Sequence, residues 1–325
     1  MTLHIWDDFP RIQQKLMPLT PYLLQAAKIK QPAVNQRVQA LIQNGGKLVR
    51  AGLFYLFSEF GSQSDPKRLR AGAAAIELLH LATLIHDDVI DQATQRRHTA
   101  TVQTAVGNRN AVYGGDLLFT LYFDQLLKAA ESFQDLHTNV NAMHGILSGE
   151  LAQYNLNYRM DETVAEYLEE IEGKTAKLFA LACGQGAKLA HADPIIVETG
   201  EQIGRSLGLA YQILDDILDY TGSADTIRKP ILQDIQNGIY TLPLLFAIEA
   251  HPQTTRSYLS KRKQLTAHEL QELRQLVITS GGVKRAQTMA NEFTDQALLD
   301  IHALPASQTR QDLETLTKRL LRRQK

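Results

Sequence analysis

The sequence predicts an all-α protein, and three observations support this fold class. Glycine and proline number 20 and 10 among 325 residues, about 9% of the chain against an average near 12%. No proline occurs between Pro66 and Pro194. Apolar residues recur every three or four positions, and no stretch keeps the strict alternation that is typical of a half-buried strand. These features favour long helices over many short strands.

The predicted helices follow one another along the chain with short loops between them. Residues 1–34 are expected to form an N-terminal helical segment. Asp65-Pro66 and Asp193-Pro194 each place a capping acid before a proline, so a long helix is expected to begin at each pair. The apolar window from Ala71 to Ile85 is too short to cross a bilayer and is interpreted as a buried helix. Further helices are predicted over residues 111–128, 138–157, 164–189, 197–219 and 284–300.

Composition limits the class of protein. Lys plus Arg number 34 and Asp plus Glu 35, a net charge of −1, so the chain lacks the basic excess of nucleic-acid-binding proteins. The single cysteine, Cys183, cannot form an internal disulfide, and the first residues do not resemble a signal peptide. We therefore expect a cytoplasmic protein with one domain over residues 1–325, whose motif-bearing core covers residues 35–325.

The pattern Asp-Asp-x-x-Asp occurs twice, each time near the end of a predicted helix. The first motif is Asp87, Asp88 and Asp91, and the second motif is Asp215, Asp216 and Asp219. Carboxylates four residues apart share a helix face, repel one another and oppose the helix dipole. Such clusters suit a hard cation, and Mg²⁺ binds one or two carboxylates together with phosphate oxygens. A solvated helix end is the alternative, but apolar residues flank both motifs, which favours buried helices and bound Mg²⁺.

A first basic group precedes these motifs. Gly45-Gly46 stand before Lys47 and Arg50, at a point where a helix can begin. Backbone amides at a helix start, together with two cationic side chains, can hold a diphosphate. This pattern is common, and on its own it is a weak signal.

A second basic group follows the first motif. Arg96 and Arg97 lie within a short loop after it, and arginine suits bidentate phosphate contacts, although a salt-bridge network is the alternative. His80 lies two helical turns before Asp87 on the same face, so it can point into the same site. A lone helical histidine is more often structural than catalytic.

These motifs and several others occur in a recognisable order. They are Gly-Gly-Lys-x-x-Arg at 45–50, Glu-Leu-Leu-His at 77–80, His-Asp-Asp-Val-Ile-Asp at 86–91, Arg-Arg at 96–97, Gly-Asp-Leu-Leu-Phe at 115–119, Gly-Glu-Leu-x-Gln at 149–153, Lys-Thr-Ala at 174–176, Gln-Ile-Leu-Asp-Asp-Ile-Leu-Asp at 212–219 and Thr-Leu-Pro at 241–243. The ordered set resembles the trans-isoprenyl (polyprenyl) diphosphate synthases from about residue 35 to the C-terminus.

The resemblance implies a helical bundle around a deep central cavity, with the two aspartate motifs facing each other across its mouth. It implies that Mg²⁺ is ligated by Asp87, Asp91 and Asp215, with support from Asp88, Asp216 and Asp219. It assigns the allylic diphosphate to Arg96, Lys174 and Lys229, and isopentenyl diphosphate to a metal-free site of Lys47, Arg50, His80 and Arg97. The oxygens of Thr175 and Gln212 would face the allylic cation; a helix back-bond for Thr175 and core filling for Gln212 are the alternatives.

The activity implied is Mg-dependent prenyl transfer, with farnesyl diphosphate as the expected primer. The allylic diphosphate ionises, isopentenyl diphosphate attacks, and proton loss gives an all-trans product without a protein nucleophile. In this family a bulky aromatic residue before the first motif stops growth early. The corresponding wall here is Ile76, Leu79, Ala82 and Thr83, without an aromatic. A C30 to C35 product for a quinone side chain, such as that of menaquinone, is therefore favoured over a C15 or C20 product.

Three positions depart from the family pattern and bear on loop closure and allylic diphosphate binding. His98 and Arg228 stand where the family commonly has glycine, and Ile239 stands where many members have a basic residue. A class I terpene cyclase would usually carry an Asn/Ser/Glu triad in place of the second motif. A non-catalytic subunit is disfavoured because the remaining charge set is intact.

The resemblance also implies a partner subunit. We expect either a homodimer or a heterodimer with a small non-catalytic subunit. The C-terminal run Lys318-Arg319-Leu320-Leu321-Arg322-Arg323 favours a solvated helix end, with at most peripheral membrane contact during product release. No nucleic-acid partner is expected.

Overall fold

The computed structural model describes residues 4–63, 65–96, 99–222 and 232–321, and these residues are almost entirely helical. The predicted all-α class is confirmed. The helices of the first half are α1 (Pro10–Leu16), α2 (Leu19–Ala26), α3 (Pro32–Gln43), α4 (Val49–Ser58), α5 (Pro66–Ile90), α6 (Val102–Val106), α7 (Asn108–Ala129) and α8 (Phe133–Leu156). Those of the second half are α9 (Val164–Ile171), α10 (Lys177–Leu189), α11 (Pro194–Thr221), α12 (Gln233–Asn237), α13 (Leu242–Ala250), α14 (Pro252–Leu259), α15 (Ala267–Thr279), α16 (Gly282–Ala303) and α17 (Gln308–Leu321).

Irregular turns and one short strand pair complete the described chain. Single 3₁₀ turns cover His4–Trp6 and Arg262–Gln264, and a π turn covers Glu172–Ala176 between α9 and α10. The strands β1 (Gln95–Arg96) and β2 (Thr99–Ala100) pair antiparallel, with Gln95 opposite Ala100. None of the helices in the described ranges is both long enough and apolar enough to cross a membrane.

The two proline-led helices begin where the sequence predicts. The Asp65 carboxylate accepts a hydrogen bond from the backbone N–H of Lys67 at 2.8 Å, and the chain enters α5 at Pro66. Asp193 accepts from the N–H of Ile195 at 2.9 Å in the same way before α11. Each acid therefore satisfies one N–H that the helix start leaves without an internal partner.

The other predicted helices also have counterparts. The spans 111–128, 138–157, 197–219 and 284–300 correspond to α7, α8, α11 and α16, with boundaries that differ by a few residues. The span 164–189 is helical throughout, but it consists of α9, the π turn and α10 rather than one α-helix. The extra residue that makes a π turn leaves no periodic signature in a short window, so the sequence analysis did not predict it.

The chain groups into two compact units. Unit 1 consists of Met1–Val140, Leu181–Glu201 and Ala306–Leu313, and unit 2 of Asn141–Ala180, Gln202–Pro305 and Glu314–Lys325. The predicted single domain over residues 1–325 stays a prediction.

Helix α5 is the centre of unit 1. It packs against α4 and α7, and its window from Ala71 to Ile85 is almost wholly buried, which confirms the interpretation as a buried helix. Gly72 allows a close approach to α4, because a Cβ there would lie 2.7 Å from the Phe54 ring. The first aspartate motif, at the end of α5, is therefore carried by a helix that is packed against both α4 and α7.

Unit 2 has its own apolar core around the second half of α11. Ile213 and Ile217 of α11 pack with buried residues of α13, α15 and α16, and Tyr167 of α9 belongs to the same cluster. Because Ile213 and Ile217 face inward, the neighbouring Asp216 is buried while Asp215 is exposed. The core packing therefore decides which carboxylates of the second motif reach solvent.

Candidate active site

The first aspartate motif lies at the C-terminal end of α5, as predicted. Asp87 and Asp88 belong to the last turn, and Asp91 is the C-cap, with its N–H bonded to the Asp87 carbonyl at 2.8 Å. Asp87 is half-buried and Asp91 is exposed. The structure thus presents two carboxylates of this motif to solvent at a helix end, where the dipole disfavours negative charge.

Asp88 has a different environment from its neighbours. Its side chain is 3% exposed, and its Oδ1 accepts a hydrogen bond from Nε of Arg96 at 2.8 Å. Arg96 reaches it from β1, directly after the loop that follows α5. The salt bridge that the sequence left as an alternative for Arg96 is therefore present, and it ties that loop to the motif.

The glycine-rich loop between α3 and α4 carries Lys47. Leu48, the N-cap of α4, has a left-handed backbone with φ 50°, and α4 begins at Val49, so the predicted helix start is correct. The backbone oxygen of Lys47 accepts a 2.6 Å hydrogen bond from the indole Nε1 of Trp6. The N-terminal segment therefore holds the loop, a contact that the sequence analysis did not predict.

Arg50 and His80 are brought together, as the resemblance implied. The Nη1 atom of Arg50, in the first turn of α4, lies 3.3 Å from Nε2 of His80 on α5. Glu77, which is 6% exposed, accepts a hydrogen bond from the N–H of Ala51 at 3.1 Å and so fixes the start of α4 against α5. No role for Glu77 was predicted from the sequence, although an acid inside an apolar window was the available signal.

The second aspartate motif lies in the last two turns of α11. Asp216 is buried and accepts two hydrogen bonds, from the Tyr167 hydroxyl to Oδ2 at 2.6 Å and from the Gln212 amide to Oδ1 at 2.8 Å. Burial raises the pKa of Asp216 to about 8, against the opposing effect of these two donors. The Asp216 carboxylate is thus committed to protein partners, whereas Asp215 is exposed and Asp219 half-buried.

Thr175 and Gln212 belong to the same hydrogen-bonded chain. The Thr175 hydroxyl donates to Oε1 of Gln212 at 2.8 Å, and the Gln212 amide then donates to Asp216. Thr175 and Gln212 therefore share a polar network, and their orientation toward the allylic cation stays a prediction. Tyr167 completes this network and was not predicted from the sequence.

Lys174 and Thr175 sit on the π turn, which several contacts hold in place. A Cβ on either Gly149 or Gly173 would lie 2.8 Å from backbone of the other segment, so α8 and the π turn cross without side chains between them. Glu172, the first residue of the turn, accepts two hydrogen bonds from Arg205 of α11, at 2.8 and 2.5 Å. The backbone that carries Lys174 is therefore fixed from two sides.

The Lys174 ammonium contacts two side chains of α8. It donates to Oε1 of Gln153 at 2.8 Å and lies 3.3 Å from Oε2 of Glu150. Both belong to the Gly-Glu-Leu-x-Gln motif at 149–153. The ammonium that is predicted to bind a diphosphate thus contacts side-chain oxygens of Gln153 and Glu150.

Several predicted site positions fall outside the described residues: Arg97, His98, Arg228 and Lys229. Ile239 is described; it is half-buried, and its N–H bonds to the Asp234 carbonyl at 2.9 Å.

The carboxylates present fit a hard divalent cation in their chemistry. Within the described ranges, no three His, Cys, Asp or Glu side chains already form a metal-binding group. Asp88 and Asp216 are buried, whereas Asp87 and Asp215 are half-buried and exposed, respectively, and Asp91 is exposed. Oxygen donors of this kind, together with substrate phosphate, are what Mg²⁺ prefers.

Comparison with known proteins identifies the family. The family model described as Polyprenyl synthetase matches residues 31–277. The chain belongs to the polyprenyl synthetase family. The resemblance found in the motifs is thereby confirmed, and so is the prediction of a trans-prenyltransferase, the activity of this family and of the relatives below.

Relatives within the polyprenyl synthetase family differ in the product that their names give. Solanesyl diphosphate synthase 1 of Arabidopsis thaliana is 32% identical over 316 residues, covering 95% of this chain and 76% of the relative. Heptaprenyl diphosphate synthase component 2 of Geobacillus stearothermophilus is 30% identical over 304 residues, covering 94% and 92%. The crystal structure of geranylgeranyl pyrophosphate synthase from Lactobacillus brevis superposes with a TM-score of 0.96 at 45% identity, covering 99% and 100%.

Proposed function

We propose that this polyprenyl synthetase condenses isopentenyl diphosphate with an allylic diphosphate, preferably farnesyl diphosphate, to a C30 to C35 all-trans polyprenyl diphosphate for a quinone side chain. The observation that carries the proposal is the apposition of Arg50 and His80 beside the loop of Lys47. This group contains cationic side chains but none of the aspartates of the two motifs. A site of this composition is expected for a diphosphate that is bound but not activated. A terpene cyclase, which takes one diphosphate substrate, needs no such second site.

The aspartate motifs supply the other half of the proposal. Asp87, Asp91 and Asp215 would hold Mg²⁺, which when bound neutralises the charge of the departing diphosphate. Asp88 and Asp216 would support them from buried positions, each fixed by its hydrogen-bond donors.

The remaining residues bind and orient the two substrates. Lys174, with Arg96 and Lys229, would hold the allylic diphosphate while its C1–O bond breaks, and Lys47, Arg50, His80 and Arg97 would hold isopentenyl diphosphate. The double bond of isopentenyl diphosphate then attacks the allylic C1, and loss of a proton from its C2 gives the trans product. The Thr175 hydroxyl and Gln212 amide, fixed in one chain with Asp216, would present oxygen to the cation.

The product length rests on the wall provided by α5. Ile76, Leu79 and Ala82 are buried, Thr83 is half-buried, and none is aromatic. The relatives named for solanesyl and heptaprenyl products agree with a long product. The 45% identity to a structure named geranylgeranyl pyrophosphate synthase favours a second candidate, a C20 product.

A dimer is the assembly that the exposed surface supports. On α8, Leu147, Leu151 and Tyr154 are exposed apolar side chains at spacings of four and three residues, as in a helix-pairing seam. We favour a homodimer. A heterodimer with a small subunit is the alternative, because the heptaprenyl diphosphate synthase relative is named as component 2 of its enzyme. We place the assembly in the cytoplasm.

The test is incubation of the purified protein with isopentenyl diphosphate, Mg²⁺ and either farnesyl or geranylgeranyl diphosphate, followed by sizing of the dephosphorylated products. The proposal expects C30 to C35 chains from the protein alone. Accumulation of C20 from farnesyl diphosphate would establish the second candidate. A cyclic hydrocarbon would overturn the proposed function, and so would the absence of elongation with either primer when a candidate small subunit is also present.

A further inference from the structure

Glu170 is a buried carboxylate that the proposed reaction does not use. It lies near the end of α9, four residues before Lys174, and is 5% exposed. Its Oε1 accepts a hydrogen bond of 2.5 Å from the Nε2 of Gln153 on α8. The other end of the same amide, Oε1 of Gln153, accepts from the Lys174 ammonium at 2.8 Å. One side-chain amide therefore joins a buried carboxylate to the ammonium.

The chemistry of the two end groups determines how the amide lies. An ionised carboxylate only accepts hydrogen bonds, and an ammonium only donates them. The amide of Gln153 must then turn its NH₂ to Glu170 and its oxygen to Lys174. A neutral group in place of the Glu170 carboxylate could donate to the amide oxygen, and the amide could rotate to turn its NH₂ toward the ammonium.

The position of the Lys174 ammonium depends on the Gln153 amide for two reasons. The backbone of Lys174 is fixed, so only its side chain can move, and a second acceptor competes for the ammonium. The Gly149–Gly173 crossing and the Glu172–Arg205 pair hold the π turn. Glu150 lies 3.3 Å from the ammonium and would draw it away once the Gln153 oxygen turned aside.

We infer that Glu170 is a positioning residue, which through Gln153 holds the Lys174 ammonium where the allylic diphosphate binds. The inference rests on the proposed role of Lys174 in that site. It adds to the reaction a residue that touches neither substrate nor metal.

The charges around Glu170 make this arrangement sensitive to pH. The charged and titratable groups that act on it are Lys174, Glu150 of α8, Asp234 of α12, and Glu162 and Tyr167 beside and on α9. Burial, opposed by Lys174 and reinforced by Glu150, raises the pKa of Glu170 to about 7. Glu170 therefore loses its charge in mildly acidic solution.

The test measures the affinity of the full-length protein for farnesyl thiodiphosphate, an unreactive allylic analogue, with Mg²⁺ by calorimetry. Glu170→Gln keeps the shape of the side chain and removes the charge. At pH 8.5 we expect its Kd to rise about threefold to tenfold, the range of one ordinary hydrogen bond. Near pH 6 the ratio to wild type should approach one, because wild-type Glu170 is then protonated. Glu169→Gln, on the exposed face of α9, is the matched control and should change neither value.

A double-mutant cycle with Gln153→Leu separates positioning from a general effect on folding. If Glu170 acts through Gln153, adding Glu170→Gln to Gln153→Leu has little further effect on Kd, whereas a merely structural role predicts additive losses at both pH values. An unchanged Kd in Glu170→Gln at pH 8.5, or full additivity, would overturn the inference alone. A wild-type protein that bound no farnesyl thiodiphosphate would instead overturn the proposed function.

Discussion

The indole of Trp6 donates its 2.6 Å hydrogen bond to the backbone oxygen of Lys47, 41 residues along the chain. The Trp6 side chain is fully buried, and a Cβ on Gly52 would lie 1.9 Å from its ring, so the indole fills the space beside the start of α4. The N-terminal segment, which precedes all of the family motifs, thus fixes the loop that carries Lys47, the lysine proposed to bind isopentenyl diphosphate.

We predict that Trp6→Phe weakens the binding of isopentenyl diphosphate. The phenyl ring keeps part of the packing but leaves the Lys47 carbonyl without this donor, a cost of about 0.5–1.5 kcal/mol for a hydrogen bond that is only partly buried. The KM for isopentenyl diphosphate should rise about tenfold, while the KM for the allylic diphosphate stays near the wild-type value. Phe9→Leu, which alters the ring packed edge-on against Trp6, is the control for packing alone. Equal effects on both KM values would contradict the prediction.

The two neighbouring aspartates Asp87 and Asp88 should differ in what their loss affects. Asp87→Asn should lower turnover at least about 100-fold with little change in the free energy of unfolding, because removing clustered negative charge is not destabilising in itself. Asp88→Asn should also lower that free energy, by about 1–3 kcal/mol, since it weakens the buried pair with Arg96. Turnover and urea unfolding of both variants check this. Full activity of Asp87→Asn would refute the metal assignment.

Local signals predicted the helices and the motif positions well. Asp65 and Asp193 cap α5 and α11 as their Asp-Pro pairs indicated, and the two aspartate motifs lie at helix ends. These features depend on residues within a few positions of one another, and such short-range chemistry is visible in a sequence.

Contacts between distant segments could not be predicted in the same way. Trp6 reaches Lys47, Glu77 reaches Ala51, and Tyr167 reaches Asp216 only because the fold brings their helices together. Glu77 interrupts an apolar window, but nothing in the neighbouring residues indicates that its partner is the N–H of Ala51, and Tyr167 has no such local signal. The family motifs predicted the positions that are proposed to bind substrate, but the residues that hold those positions in place follow from packing.

We predict that a bulky residue in the α5 wall shortens the product. Ala82 is fully buried, so Ala82→Phe should block chain growth at a cost of about 1–3 kcal/mol in stability from overpacking. Thr83 is half-buried, so Thr83→Phe adds the same ring with less strain. The products of both variants, sized after dephosphorylation, should be shorter than those of the wild type. Unchanged product length in a folded Thr83→Phe enzyme would show that growth stops elsewhere.

A pH-dependent loss of stability is expected from Glu162. Burial, together with the Glu170 and Glu166 carboxylates, raises the pKa of Glu162 from 4.5 to about 8, and its buried Oε1 has no hydrogen-bond partner among the described residues. The folded protein holds this proton to a higher pH than the unfolded chain does. The Glu162 contribution to the free energy of unfolding therefore falls as pH rises from about 4.5 to about 8.

Glu162→Gln should remove this penalty. We expect the variant to gain about 1 kcal/mol over wild type at pH 9, allowing for the partial exposure of the carboxyl, and to gain nothing near pH 4. Chemical denaturation at a series of pH values measures the difference. An equal gain at both pH values would mean that the charge of Glu162 is not the cause.

The exposed seam on α8 should carry the dimer contact. Leu151 is 69% exposed, so a glutamate there costs the folded protomer little, but it places a charge in the centre of an apolar contact. Leu151→Glu should shift the protein from dimer to monomer at micromolar concentration, as measured by light scattering after size exclusion. Leu299→Glu is the matched control, because Leu299 is similarly exposed on α16 and lies outside the seam. A wild-type monomer that dimerised only with a second, smaller protein would favour the heterodimer, and a dimer that survived Leu151→Glu would place the interface elsewhere.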